Sequence, residues 1–204
     1  MTEIDNGLKE VAEIRSMMER STKFLSLSGL SGIGAGIVAL VGWGWATWYL
    51  RSRFGPGTGE VVNHRDVLLM MLDSALVIVA AVTIAMFFSW RVAKRRGLPL
   101  WNATAKDVVA ALLIPLASGG VFCLILVRQE LYGMIPSAML VFYGMALVSA
   151  GKHTLHNIRF LGLTQIFLGL AAGLLPEIGL WLWAAGFGVF HILYGIIMYL
   201  KFEQ

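Results

Sequence analysis

The sequence predicts an all-α fold: a polytopic membrane protein, a bundle of six transmembrane helices with a short amphipathic cytoplasmic N-terminal helix. Three observations carry this expectation. The chain is 58% hydrophobic and only 14% charged, well below the about 25% charged of soluble domains. Its uncharged apolar runs recur at lengths near the about 20 residues that a bilayer core requires. Its lysines and arginines gather in alternate connections. At 204 residues the chain has room for these spans and hardly any for a separate soluble domain.

Residues 1–23 come first. Ile4, Leu8, Val11, Ile14, Met17 and Met18 recur at helical spacing, with Glu10, Glu13, Glu19 and Arg20 between them, which predicts an amphipathic helix on the cytoplasmic membrane surface. The same face would serve a cytoplasmic protein partner. The acidic residues and the length do not fit the short basic leader of a signal peptide, so the segment is expected to be retained.

The transmembrane domain is expected over 24–204, with helices at about 25–50, 67–90, 107–127, 134–151, 158–175 and 178–200. The first run carries no charge from Phe24 to Leu50 but contains Gly29, Gly32, Gly34, Gly36, Gly42 and Gly44. Each glycine costs a helix about 1 kcal/mol in water. In lipid the loss is offset where small residues admit a second backbone. Ser28, Gly32, Ala35, Gly36, Ala39 and Gly42 share one face, with Gly32 and Gly36 forming a GxxxG pair. Gly32→Leu or Gly36→Leu is therefore expected to disrupt packing, and Leu40→Ile to do little. Trp43, Trp45, Trp48 and Tyr49 supply an aromatic belt at the far end. The second run places Asp73 inside the bilayer, toward its outer side. In the third, Pro115 and the pair Gly119–Gly120 predict a kink.

The fifth run, RFLGLTQIFLGLAAGLL from Arg159, echoes KFLSLSGLSGIGAGIVAL from Lys23. The echo suggests three helical hairpins related in parallel. Gly169 and Gly173 of the fifth run and Gly188 of the sixth are further packing positions. Oligomerisation into a homo-oligomer is expected through such small-residue faces.

Orientation follows from the basic residues. With the N-terminus inside, Lys9, Arg15, Arg20, Lys23, Arg91, Lys94, Arg95, Arg96, Lys106, Lys152, Arg159 and Lys201 are cytoplasmic, and only Arg51, Arg53, Arg65 and Arg128 are outside. Both termini are then cytoplasmic. The net charge of +4 reflects this asymmetry and calls for no nucleic-acid partner.

Polar residues inside a membrane are costly and mark candidate sites. Ser118, Tyr143, Gln165, His191 and Tyr194 fall at middle depths of helices three to six and are the expected lining of a polar, ligand-binding site. His191 shares a face with Ala184, Gly188 and Gly195, and Gln165 should reach its depth from the opposite side, at 1.5 Å per residue. An interhelical hydrogen bond is one reading of His191. Axial ligation of haem is the other, since imidazole binds iron and small residues clear space for a flat ring, yet no second histidine lies at matching depth. His153 and His156 in KHTLH sit at the inner edge, too far from Asp73 to share a metal ion. Cys123 is the only cysteine, which excludes an intrachain disulfide. No catalytic residues, metal ligands or cofactor are assigned: no nucleophile–base pair, nucleotide loop or paired carboxylates occur at one depth.

The run IRSMMERSTKFLSLSGLSGI, Ile14 to Ile33, with a fainter likeness around KHTLHNIRFLGL, resembles the opening of an uncharacterised group of small bacterial multispanning proteins. The resemblance implies a bacterial inner (cytoplasmic) membrane location and no activity. The expected function is non-enzymatic: a sensor, scaffold or small transport unit. An intramembrane enzyme or a haem- or metal-binding protein using His191 is the alternative.

Overall fold

A computed structural model describes residues 28–54, 61–95, 101, 103–152 and 157–202. The expected helix over 1–23, and His153 and His156, lie outside the described residues. Within them the chain forms six helices: α1 (Gly29–Phe54), α2 (His64–Arg95), α3 (Ala103–Arg128), α4 (Ile135–Ala150), α5 (Asn157–Leu174) and α6 (179–202). Five are long and apolar enough to cross a bilayer; the apolar part of α5, Ile158–Leu174, is shorter. Each helix contains one apolar run, and the charged residues it carries, such as Arg51 and Arg53 of α1 or Arg91, Lys94 and Arg95 of α2, fall toward its ends, apart from Asp73.

Laterally the helices form a row and not a ring. α2 packs extensively on α1 alone, α1 on α6, α6 on both α4 and α5, and α3 on α4 at the other end. α5 packs more extensively on α4 than on α6, so the layout of three equivalent hairpins expected from the echo is not what the packing displays.

Small residues set the close approaches. A Cβ added to Gly32 would stand 3.1 Å from the Gly195 Cα and 3.2 Å from the His191 carbonyl oxygen, and one on Gly36 would stand 2.7 Å from the Gly188 carbonyl oxygen. The Gly32–Gly36 part of the stripe thus contacts α6 within the same chain, whereas Gly42, expected on the same face, turns to α2. On the other flank of α1, Gly34 packs on Ile84 and Gly42 on Val77 and Asp73 of α2. Leu40 is no bystander. It sits where a Cβ of Gly188 would be, which makes it part of the α1–α6 contact and not a neutral position. A second crossing joins α4 to α5: a Cβ on Gly144 would come within 2.6 Å of the Gly162 carbonyl oxygen, and one on Gly162 within 2.8 Å of that of Gly144. Further along, Gly169 meets Val141 and Gly173 meets Ser137, whose hydroxyl donates to the Gly169 carbonyl at 2.7 Å.

The α1–α2 hairpin is clamped at one end. The Asp66 backbone N–H donates to the Asn63 side chain at 3.1 Å, and the Asn63 N–H donates back to the Asp66 carboxylate at 3.0 Å, a reciprocal cap with aspartate in the place usually held by glutamate. The other carboxylate oxygen accepts the Tyr49 hydroxyl at 2.6 Å and Arg53 Nε at 3.3 Å, so the cap of α2 is tied to the last turns of α1.

α3 runs as α-helix through Pro115, although the proline cannot donate to the carbonyl four residues earlier. Its end is well formed: the Glu130 N–H reaches the Val127 carbonyl and the Leu131 N–H the Leu126 carbonyl, a Schellman motif with Glu130 in the left-handed region, at φ 59°.

Candidate functional site

α6 is not one uniform helix. It runs as α-helix over Gly179–Trp183, as π-helix over Ala184–Phe190, and as α-helix again over His191–Phe202. A π turn is rare, appears mostly as a single-turn bulge inside an α-helix, and is frequent at functional sites. Gly186 and Gly188 are buried within it. A Cβ on Gly186 would strike Gln165 Oε1 and lie 2.5 Å from Leu140 Cδ2, so glycine is what lets α4 and α5 close on this turn.

Around the Gly186 carbonyl, three side chains from three helices meet, each about halfway along its own helix. Gln165 of α5 is fully buried at 0% exposure and His191 of α6 at 6%. Gln165 Nε2 donates to the Gly186 carbonyl at 2.8 Å. His191 Nδ1 stands 2.9 Å from the same oxygen, and the Tyr143 hydroxyl of α4 stands 2.8 Å from His191 Nε2. The roles then fix one another. A carbonyl can only accept, so Nδ1 carries the proton; Nε2 is the acceptor, and Tyr143 donates to it. The imidazole is neutral in this arrangement, and both lone pairs of the Gly186 oxygen are used. Gln165 Nε2 lies 3.4 Å from His191 Nδ1, a contact between two donors that point at one acceptor.

Aromatic rings enclose the imidazole. Phe187 is stacked on it at 5.9 Å with an 11° interplanar angle, Tyr143 lies 4.9 Å from Phe187, and Trp183 lies 5.0 Å from Phe187. Gln165 Oε1, Trp183 Nε1, the Tyr194 hydroxyl and, on α1, Trp43 Nε1 are buried atoms with no hydrogen-bond partner among the described residues.

Four of the five expected site residues, Tyr143, Gln165, His191 and Tyr194, fall on the three helices that meet here, and the first three are joined by hydrogen bonds. Ser118 is not with them. It is exposed on α3, and its hydroxyl donates to the Ile114 carbonyl of its own helix at 2.9 Å; a serine satisfied by its preceding turn gains nothing from a neighbouring helix. The packing glycines Gly32, Gly36 and Gly188 line α1 and α6, and Gly169 and Gly173 line α5 against α4. Gly186 is the member of this candidate site that sequence reasoning missed. The signal was the small-residue run Ala184 to Gly188, whose glycines weaken the regular helix.

Both His191 nitrogens are engaged, so an iron or zinc ion would have to displace either Tyr143 or the Gly186 carbonyl to reach it. The Nδ1–H bond to Gly186 is one that metal-ligating histidines commonly make, so it is the Tyr143 hydroxyl on Nε2 that keeps a metal ion from the ring in this conformation.

Five helices long and apolar enough to cross a bilayer, two of which (α4 and α6) share a polar network with the shorter α5, mark a multi-pass membrane protein. In comparison with known proteins, no protein family, no curated protein and no solved structure matches the chain.

Proposed function

We propose that this chain is a non-enzymatic six-span integral membrane protein, a sensor or small transport unit whose working part is the π turn of α6. The supporting observation is that Gln165 and His191, from two helices, close on the single Gly186 carbonyl of that turn, while Tyr143 of a third helix holds the far nitrogen of His191. A π turn and a regular helix of the same residues differ by one residue of register, so exchange between them rotates everything beyond the turn and shifts its contacts. Hydrogen bonds between membrane helices contribute only about 0.6 kcal/mol each on average. A latch of a few such bonds holds one state while leaving another within reach, as an element that responds to a ligand needs.

On this reading the protein lies in a bacterial inner membrane with both termini cytoplasmic. It forms homo-oligomers through the apolar outer faces of α2 and α3, since the small-residue stripes are occupied within the chain. Residues 1–23 are the proposed contact for a cytoplasmic partner.

The test pairs spectroscopy with distance measurement. The purified protein is expected to be colourless, and stoichiometric haem would reverse the reading in favour of a haem protein. With Cys123 replaced, spin labels at the lipid-exposed positions Val41 on α1 and Phe167 on α5 report the distance across α6. Tyr143→Phe and Gln165→Leu should broaden or shift that distance distribution. Distributions identical to that of the wild type would mean that the network is static reinforcement.

A further inference from the structure

One ionisable group lies inside a span and outside the network just described. Asp73 is on α2, half-buried, and its carboxylate oxygens would stand 3.5 and 3.6 Å from a Cβ built on Gly42 of α1. Val77 fills the space that the absent side chain of Gly42 leaves, and the Asp73 carboxyl lies beside it against the same stretch of α1.

Depth follows from the helix itself. Asp66 and Arg91 are the nearest charged residues on α2 to either side of Asp73. At 1.5 Å per residue they lie roughly 37 Å apart, and a hydrocarbon core of about 30 Å centred between them places Asp73 roughly 7 Å inside its boundary. It is too deep for a carboxylate on a short side chain to reach the headgroup region, as a lysine or arginine would.

Among the described residues no counter-charge faces it. The element packed extensively on α2 is α1, which carries no charged residue between Gly29 and Leu50. Its one titratable group there, the Tyr49 hydroxyl, is bonded to Asp66. On α2, His64, Arg65 and Asp66 lie two turns or more away, and the nearest cation of α1 bonded in this region, Arg53, is held by Asp66 at 3.3 Å. Among the described residues Asp73 has no hydrogen-bond or ion-pair partner. An ionised carboxylate at such a position bears most of its desolvation cost uncompensated, and the neutral acid does not.

We propose that Asp73 is a proton-binding site: a carboxylic acid held protonated within the membrane in the groove between α1 and α2 beside Gly42, able to exchange its proton only when that groove admits water. This site is separate from the His191 network and does not depend on the role given to that network.

The full-length protein in lipid vesicles is treated with dicyclohexylcarbodiimide, which partitions into the membrane and reacts with protonated carboxyl groups, and the modified peptide is located by mass spectrometry. The expected result is an adduct on Asp73 at neutral pH that declines as the pH is raised, is unaffected by sodium at fixed pH, and is absent in Asp73→Asn. Infrared difference spectroscopy, which requires no reagent access, should give a protonated-carboxyl band in the wild type that Asp73→Asn removes. A wild type with neither adduct nor band at neutral pH would show an ionised carboxylate and overturn the proposal. Protection by sodium at constant pH would make the site a sodium site instead. Reaction at Asp66 or Asp107 with none at Asp73 would also overturn it.

Discussion

Gly29 and Gly195 meet backbone to backbone: a Cβ on Gly195 would stand 2.6 Å from the Gly29 carbonyl oxygen, and one on Gly29 would collide with the Gly195 carbonyl in turn. The mutual exclusion makes α1 and α6 a contact that tolerates no side chain on either partner at that level. Dispersion between closely apposed backbones replaces the hydrophobic drive that lipid does not supply.

The first prediction follows along the same seam. Gly32→Leu and Gly36→Leu should each lower stability in detergent by about 1–3 kcal/mol through overpacking, read as a fall in thermal midpoint. Gly44→Leu and Gly120→Leu are the controls, because a Cβ at either position has nothing within 4 Å. If all four variants behave alike, backbone contact is not what the stripe provides.

A second prediction concerns the hydrogen bond between Tyr143 and His191. Tyr143→Phe removes the donor to Nε2, and His191→Leu removes both ring nitrogens; the latter should cost roughly 0.5–2 kcal/mol. A double-mutant cycle should return a favourable coupling of about 0.6 kcal/mol, whereas strict additivity would break the assigned Tyr143-to-His191 bond. His191→Gln retains one donor and one acceptor and should fall between wild type and His191→Leu.

Glu130 offers a stabilising change. Its φ of 59° is costly for a residue with a Cβ, so Glu130→Gly should raise stability by roughly 0.5–1 kcal/mol. Glu130→Ala keeps the Cβ and should bring no such gain. Equal midpoints for the two variants would separate the effect from the backbone conformation.

Orientation is checked by labelling. With Cys123 replaced, single cysteines placed within 52–66 should react with an impermeant thiol reagent applied to intact cells, and those within 92–105 only after permeabilisation. The reverse pattern would invert the assigned topology.

Level along the bundle was legible in the sequence and lateral order was not. Hydropathy and charge placed each helix to within a few residues, since both report directly on the cost of entering hydrocarbon. The same arithmetic of 1.5 Å per residue brought Gln165 to the level of His191, where the structure has them 3.4 Å apart. What hydropathy does not encode is which helix stands beside which. Ser118 has the right depth and the wrong neighbours. Leu40 looked interchangeable because nothing in the sequence marks Gly188 as the residue opposite it. The π turn was hidden for a related reason: its stability depends on Gln165 and Leu140 pressing against Gly186, tertiary contacts that no periodicity along α6 records.

The position of α6 in the row has a consequence for how the protein is made. α1 with α2, and α3 with α4 and α5, form two groups that share no extensive contact except through α6. α6 is synthesised after all five, so a nascent chain threading into the membrane carries two unjoined assemblies until its late segment arrives. The polar side chains of Gln165 and Tyr143 wait in lipid for the Gly186 carbonyl and the His191 ring that satisfy them. Quality control of this protein should therefore act late, on chains whose glycine seams are still open, and fragments bearing the two halves separately should find each other when α6 is present and remain apart when it is missing.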